Sequence, residues 1–158
     1  MKYYFLFTLF LVSVVDIQAQ SLNIMDFEKY LEAPTAYNYG YLKKKGFQPN
    51  PDEVKSKTPS YINTLSKEII KIDFTEDSEG ETILTLDYYL PSETNYNHFI
   101  NSLTASRYKN KSENVFEFAT SSYSSLSFET KGKTVFQGKN YFLLSFKDKK
   151  GKELSIVK

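Results

Sequence analysis

The chain has 158 residues, with 20 Lys or Arg against 19 Asp or Glu, and its formal net charge of +1 gives no electrostatic pull toward nucleic acid. It has no cysteine and one histidine, which excludes disulfides, thiolate metal sites, a lipidated cysteine anchor and a histidine-based zinc centre. The charge is unevenly spread, with 8 Lys against 13 Asp or Glu from Ser21 to Ile100 and 11 Lys or Arg against 5 from Asn101 to Lys158. That imbalance fits either a basic partner-binding lobe or two lobes that attract one another.

The chain opens with Lys2, an apolar run from Tyr3 to Val15, a few polar residues and Ala19. Charge, apolar run and small residue in that order read as a secretory signal peptide, and the run is too short to span a bilayer comfortably. Cleavage is expected near Ala19 or Gln20, giving an exported protein of the periplasm or the medium. The remaining segment, 20–158, is read as one α+β domain, with two lobes at about 20–90 and 91–158 as a finer division. A chain of that size buries roughly two thirds of the surface it exposes when unfolded.

Ile24, Phe27 and Leu31 fall on one face of a helix expected from Leu22 to Leu31, with Ser21 as N-cap and Pro34 as terminator. A second helix is expected from Thr35 or Ala36 to Lys45. There Gly46 can take the left-handed position after the last turn, Phe47 can fold back on Leu42, and the three lysines complement the helix's negative end. Gln48 to Thr58 is read as a loop. Strands are expected around Tyr61–Leu65, at Ile69–Thr75 and at Thr82–Leu90, the last two joined as a hairpin through Asp77 to Gly80.

A third helix is expected from Glu93 to Ser106, with Tyr96, Phe99, Ile100 and Leu103 at helical spacing. Strand patterns follow at Val115–Ala119, Tyr123–Glu129, Tyr141–Lys147 and Glu153–Val157. Gly132 and Gly138 are read as turn residues, and Val135 with Phe136 as a short extra pairing. The order implies antiparallel sheet with short helices packed on one face, in a worn α-β-β-β tandem repeat.

Two resemblances bear on this order. Ala19-Gln20 and the segment from Tyr41 to Phe47 resemble the signal-peptide end and the "YLxxKGF" helix end of a family of uncharacterised small exported proteins of Gram-negative bacteria. That resemblance implies export and α+β architecture, and supplies no catalytic or binding residue. At fold level the pattern is similar to the modules of exported beta-lactamase-inhibitor proteins and of small outer-membrane assembly lipoproteins.

Motifs for chemistry are thin. His98 has no orienting carboxylate beside it in a helical reading. Ser106 and Lys109 satisfy the bare S-x-x-K spacing of penicillin-recognising enzymes without the accompanying S-D-N and K-T-G elements. Lys55 to Thr58 lacks the glycines of a phosphate loop. The carboxylates from Asp73 to Glu81 have the wrong spacing for an EF-hand and read as a solvated hairpin tip. No cofactor or metal is expected, and the chain is not read as an enzyme.

The candidate site comes from strand alternation. If Leu84, Leu86, Tyr88, Leu126, Phe128, Phe142, Leu144 and Phe146 face the helices, the opposite face carries Ile83, Thr85, Tyr89, Tyr123, Ser125, Ser127, Tyr141 and Leu143. Tyrosine supplies large contact area with few rotors. Ile83, Tyr89, Tyr123, Tyr141 and Leu143 are therefore the expected protein-binding residues of an exported inhibitor or immunity-type module. The alternatives are a small-molecule or carbohydrate binder, or a hydrolase built on dispersed carboxylates.

Overall fold

Residues 22–32, 35–53, 58–80, 82–104, 109–119 and 125–150 are described by a computed structural model. Among these residues, three helices, α1 (Ile24–Glu32), α2 (Thr35–Lys44) and α3 (Glu93–Thr104), accompany eight strands: β1 (Phe47–Pro49), β2 (Ser60–Asn63), β3 (Ile69–Glu76), β4 (Thr82–Leu90), β5 (Lys109–Ser112), β6 (Val115–Ala119), β7 (Ser125–Phe136) and β8 (Lys139–Lys150). The strands form one sheet in the order β1-β2-β3-β4-β8-β7-β6-β5, with every neighbouring pair antiparallel. Each meander ends in the middle of the sheet, so β4 and β8 form its central seam. The α+β class and the antiparallel sheet stand as the alternation pattern requires.

The core lies on the helix side. Register aligns Ile72, Leu86, Phe146, Phe128 and Phe116 in one row across five strands, and all five are buried. Phe116 stacks on Phe128 at 5.0 Å and Phe128 on Phe146 at 5.2 Å, while Phe27 from α1 stacks on Phe146 at 4.2 Å. Phe99 from α3 meets Phe27, Phe128 and Phe146 edge-on. One phenylalanine at the seam thus receives a helix from each half of the chain. Burying each such ring contributes about 1.5–3 kcal/mol, and the pair geometry adds about 0.5–1.5 kcal/mol.

The run from Tyr41 to Phe47 does more than stop a helix. Leu42 and Phe47 are both in the core, and Gly46 has φ +85°, the left-handed conformation expected of it. A Cβ on Gly46 would also lie 3.2 Å from Asn63 Nδ2, which donates to the Lys45 carbonyl at 3.1 Å. Lys45 itself reaches Asp26 of α1 at 2.9 Å, and the Tyr41 hydroxyl donates to the same carboxylate oxygen. Asp26 Oδ2 accepts the Asn23 N–H at 2.9 Å, and Asn23 Oδ1 accepts the Asp26 N–H at 3.1 Å. Asn23 therefore caps α1.

This latch ties α1 to α2 and Lys45 through one buried carboxylate, and the β2–β3 turn joins it through the Lys45 carbonyl. Burial raises the carboxyl's pKa, but the Asn23 N–H, the Tyr41 hydroxyl and the Lys45 ammonium together outweigh it and hold Asp26 below the usual range. Burial, then the bond and charge of Asp26, push the Tyr41 phenol up to about 12. A second buried polar pair lies nearby. Tyr88 donates to Glu68 Oε2 at 2.8 Å and accepts the Leu22 N–H at 3.1 Å, and burial followed by the Glu68 charge raises its pKa well above the ordinary phenol value.

Several expectations are corrected. The loop assigned to Gln48–Thr58 contains part of β1 and a 3₁₀ turn at Pro51–Glu53. β2 covers Ser60–Asn63 rather than Tyr61–Leu65, because Asn63 Oδ1 accepts the Leu65 and Ser66 N–H groups and turns the chain there. β5, with the sequence Lys-Asn-Lys-Ser, was not expected. Gly132 is not a turn: β7 runs through it with a register shift between Thr130 and Gly132, so Val135 and Phe136 belong to a long hairpin with β8. The signal segment, Ser21, Pro34, Tyr123, the Ser106 of the S-x-x-K match and the strand expected at Glu153–Val157 lie outside the described residues.

Candidate functional site

Alternation assigns the other face of the sheet. With the core residues of β3, β4, β8, β7 and β6 turned to the helices, Lys71, Asp87, Ser145, Glu129 and Val115 align in one row on the far side. Asp73, Thr85, Lys147, Ser127 and Glu117 form the next. Apart from Val115 these two rows are polar, and they carry four carboxylates against two ammonium groups. The Ser145 hydroxyl donates to Asp87 Oδ1 at 2.6 Å, which fixes the middle of the first row.

At one end of this face the rows give way to a second, smaller core. Ile69, Tyr89 and Leu143 are register partners, and Tyr141 packs with them against the half-buried Ile62 and Phe136. The bulge at Gly132, where φ is +67°, makes this possible. One extra residue exchanges the faces of everything beyond it, so Phe136 turns to the far side while Val135 stays exposed. The β7–β8 hairpin then arches over the far face. Phe136 lies 4.5 Å from the Tyr89 ring, and the Lys71 ammonium sits 5.4 Å from the Phe136 ring.

Three of the expected binding residues are therefore brought together, but under cover. Tyr89, Tyr141 and Leu143 are 8%, 5% and 8% exposed, a packed cluster rather than an open grip. Ile83 is half-buried at the other end of β4, six residues or roughly 20 Å from Tyr89. Burial, then the Asp87 and Glu53 charges, push the Tyr89 phenol up to about 12, and burial raises Tyr141. Lys71, Asp87, Glu129, Asp73, Lys147 and Glu117 were missed as members of this face. The alternation that found Thr85 and Ser127 also passes through them.

Other candidates resolve simply. His98 stands exposed on α3. The acidic segment after Asp73 forms the β3–β4 hairpin tip, where Asp77 Oδ1 accepts the Glu79 N–H at 2.9 Å and Gly80 has φ +74°. Among the described residues no group of three or more His, Asp or Glu side chains is placed to hold a metal ion, and no helix is long and apolar enough to cross a membrane. No family model, curated protein or solved structure matches this chain.

Proposed function

We propose that this is an exported, non-enzymatic protein-binding module of the inhibitor or immunity type, docking its partner on the far face of the sheet. The observation that carries the reading is the pair of polar rows across β3, β4, β8, β7 and β6, on the side away from the helix-facing core. Its excess of carboxylates over ammonium groups suits a partner with a basic contact segment. The buried tyrosine cluster beside the rows serves as a stiff support rather than as the contact surface. The apolar run after Lys2, and the likeness of the Tyr41–Phe47 segment to exported proteins of Gram-negative bacteria, favour an envelope or extracellular setting.

Because Tyr89 and Tyr141 are buried, replacing them tests folding more than binding. The better probes are Thr85→Arg with Ser127→Arg, which place two cations in the second row, and Asn97→Arg on the exposed side of α3 as control. Proteins co-purifying from the native envelope and medium are identified with the wild type, and affinity is then measured for each variant. The face variant should bind at least tenfold more weakly, with the control unchanged. A folded face variant that binds its partner as tightly as the wild type would refute the docking surface.

A further inference from the structure

At the β1 end of the first polar row, four residues close a circuit. The Asn50 N–H donates to the Ser60 carbonyl at 3.0 Å, and the Glu53 N–H donates to the Asn50 carbonyl at 3.2 Å. Ser60 stands opposite Lys71 in the β2–β3 register, and Lys71 Nζ lies 3.8 Å from Glu53 Oε1. Three buried polar atoms of this circuit, Asn50 Nδ2, Ser60 Oγ and Glu53 Oε2, have no hydrogen-bond partner among the described residues. Asn50 and Ser60 are only 2% and 7% exposed, so bulk solvent does not reach them. Buried polar atoms left so are costly, and natural proteins seldom tolerate three together.

The chemistry of the three atoms selects the guest. Asp52 donates its N–H to Asn50 Oδ1 at 3.2 Å, which fixes the amide so that Nδ2 is the unpartnered end, a donor. A bare cation would be repelled by that donor, and an anion by the Glu53 carboxylate. The guest must accept from Asn50 and donate to Glu53, and Ser60 can do either. We infer that the circuit holds one internal water, accepting from Asn50 Nδ2, donating to Glu53 Oε2 and bonded to Ser60 Oγ. About three such bonds are what a buried water makes.

The water gives Glu53 a fixed place beside Lys71, whose ammonium in turn lies against Phe136. A hydrated joint at the β1 edge thereby helps hold the β7–β8 hairpin over the tyrosine cluster. The test is water–amide cross-relaxation on uniformly 15N-labelled protein, read for the sign that marks a long-lived water. The contact should appear at the Asn50 side-chain amide and at the Ser60 N–H, persist in Ser60→Ala, and disappear in Glu53→Met, which keeps the bulk and removes the acceptor. No long-lived contact in the wild type overturns the assignment. So does loss in Ser60→Ala, which would trace the signal to hydroxyl exchange, or survival in Glu53→Met. If Glu53→Met does not fold, the first two measurements still decide.

Discussion

Replacing Asp26 with Asn keeps the size of the side chain and removes the charge that α1, Tyr41 and Lys45 share. The carboxylate is buried and the Lys45 side chain is about a quarter exposed, 26%, so the stranded ammonium can recover part of its hydration. Breaking a fully buried pair costs about 3–5 kcal/mol, and a hydrogen bond to a charged group contributes about 1.5–3 kcal/mol. Partial solvation of Lys45 puts Asp26→Asn in the lower range, about 2–3 kcal/mol at neutral pH. For a chain of this size that corresponds to a fall in Tm of roughly 10 °C.

The pH dependence separates this cause from mere loss of packing. The folded Asp26 carboxyl titrates below its unfolded value, so its stabilisation is fully present above the unfolded pKa and fades as pH falls through the folded one. Thermal unfolding followed by circular dichroism should therefore show a gap between wild type and Asp26→Asn that is constant near neutrality and narrows in acid below the ordinary aspartate range. A Lys45→Met variant should share most of the loss, making the double variant less than additive. The same gap in strong acid as at neutral pH, or full additivity with Lys45→Met, would refute the latch.

Two further outcomes follow from the same geometry. Tyr41 and Tyr89, both pushed up to about 12, should titrate after the exposed tyrosines in an absorbance titration of phenolate; raised folded values mean stability is intact below pH 10 and drains away as pH climbs toward 12. The two glycines of the α2 region should respond oppositely to alanine. Gly40→Ala, in a helix with nothing within 4 Å of the new methyl, should stabilise by about 0.5–1 kcal/mol, whereas Gly46→Ala should destabilise by at least about 1 kcal/mol because φ is +85° and Asn63 stands in the way. Urea midpoints with unchanged slope would check both.

What the sequence made legible was what a regular period encodes. Leu84, Leu86, Tyr88 and Leu90 alternate without interruption, and the structure buries all four; Phe99 and Leu103 recur at helical spacing and meet the sheet. The strand Lys109–Ser112 carries no such signal, since its pairing is dictated by β6 and its own residues have no apolar side to declare. Gly132 misled for a different reason. Left-handed φ serves a turn and a bulge equally, and only the pairing with β8 distinguishes them. That one residue decides whether the tyrosine face is open or roofed by Phe136, so alternation placed Tyr89, Tyr141 and Leu143 on one face but did not disclose their burial.

The two outer strands of the sheet, finally, restrict how anything can join it. β1 is three residues long and ends in Pro49, which has no N–H to offer, and β5 is four residues long, with a register shift between Asn110 and Ser112 and lysines at 109 and 111. Neither presents the long, regular ladder that strand addition requires. Among the described residues the sheet is therefore bounded on both sides by short strands ill suited to extending it. Between them, β1 and β5 leave a pairing strand little backbone to bond.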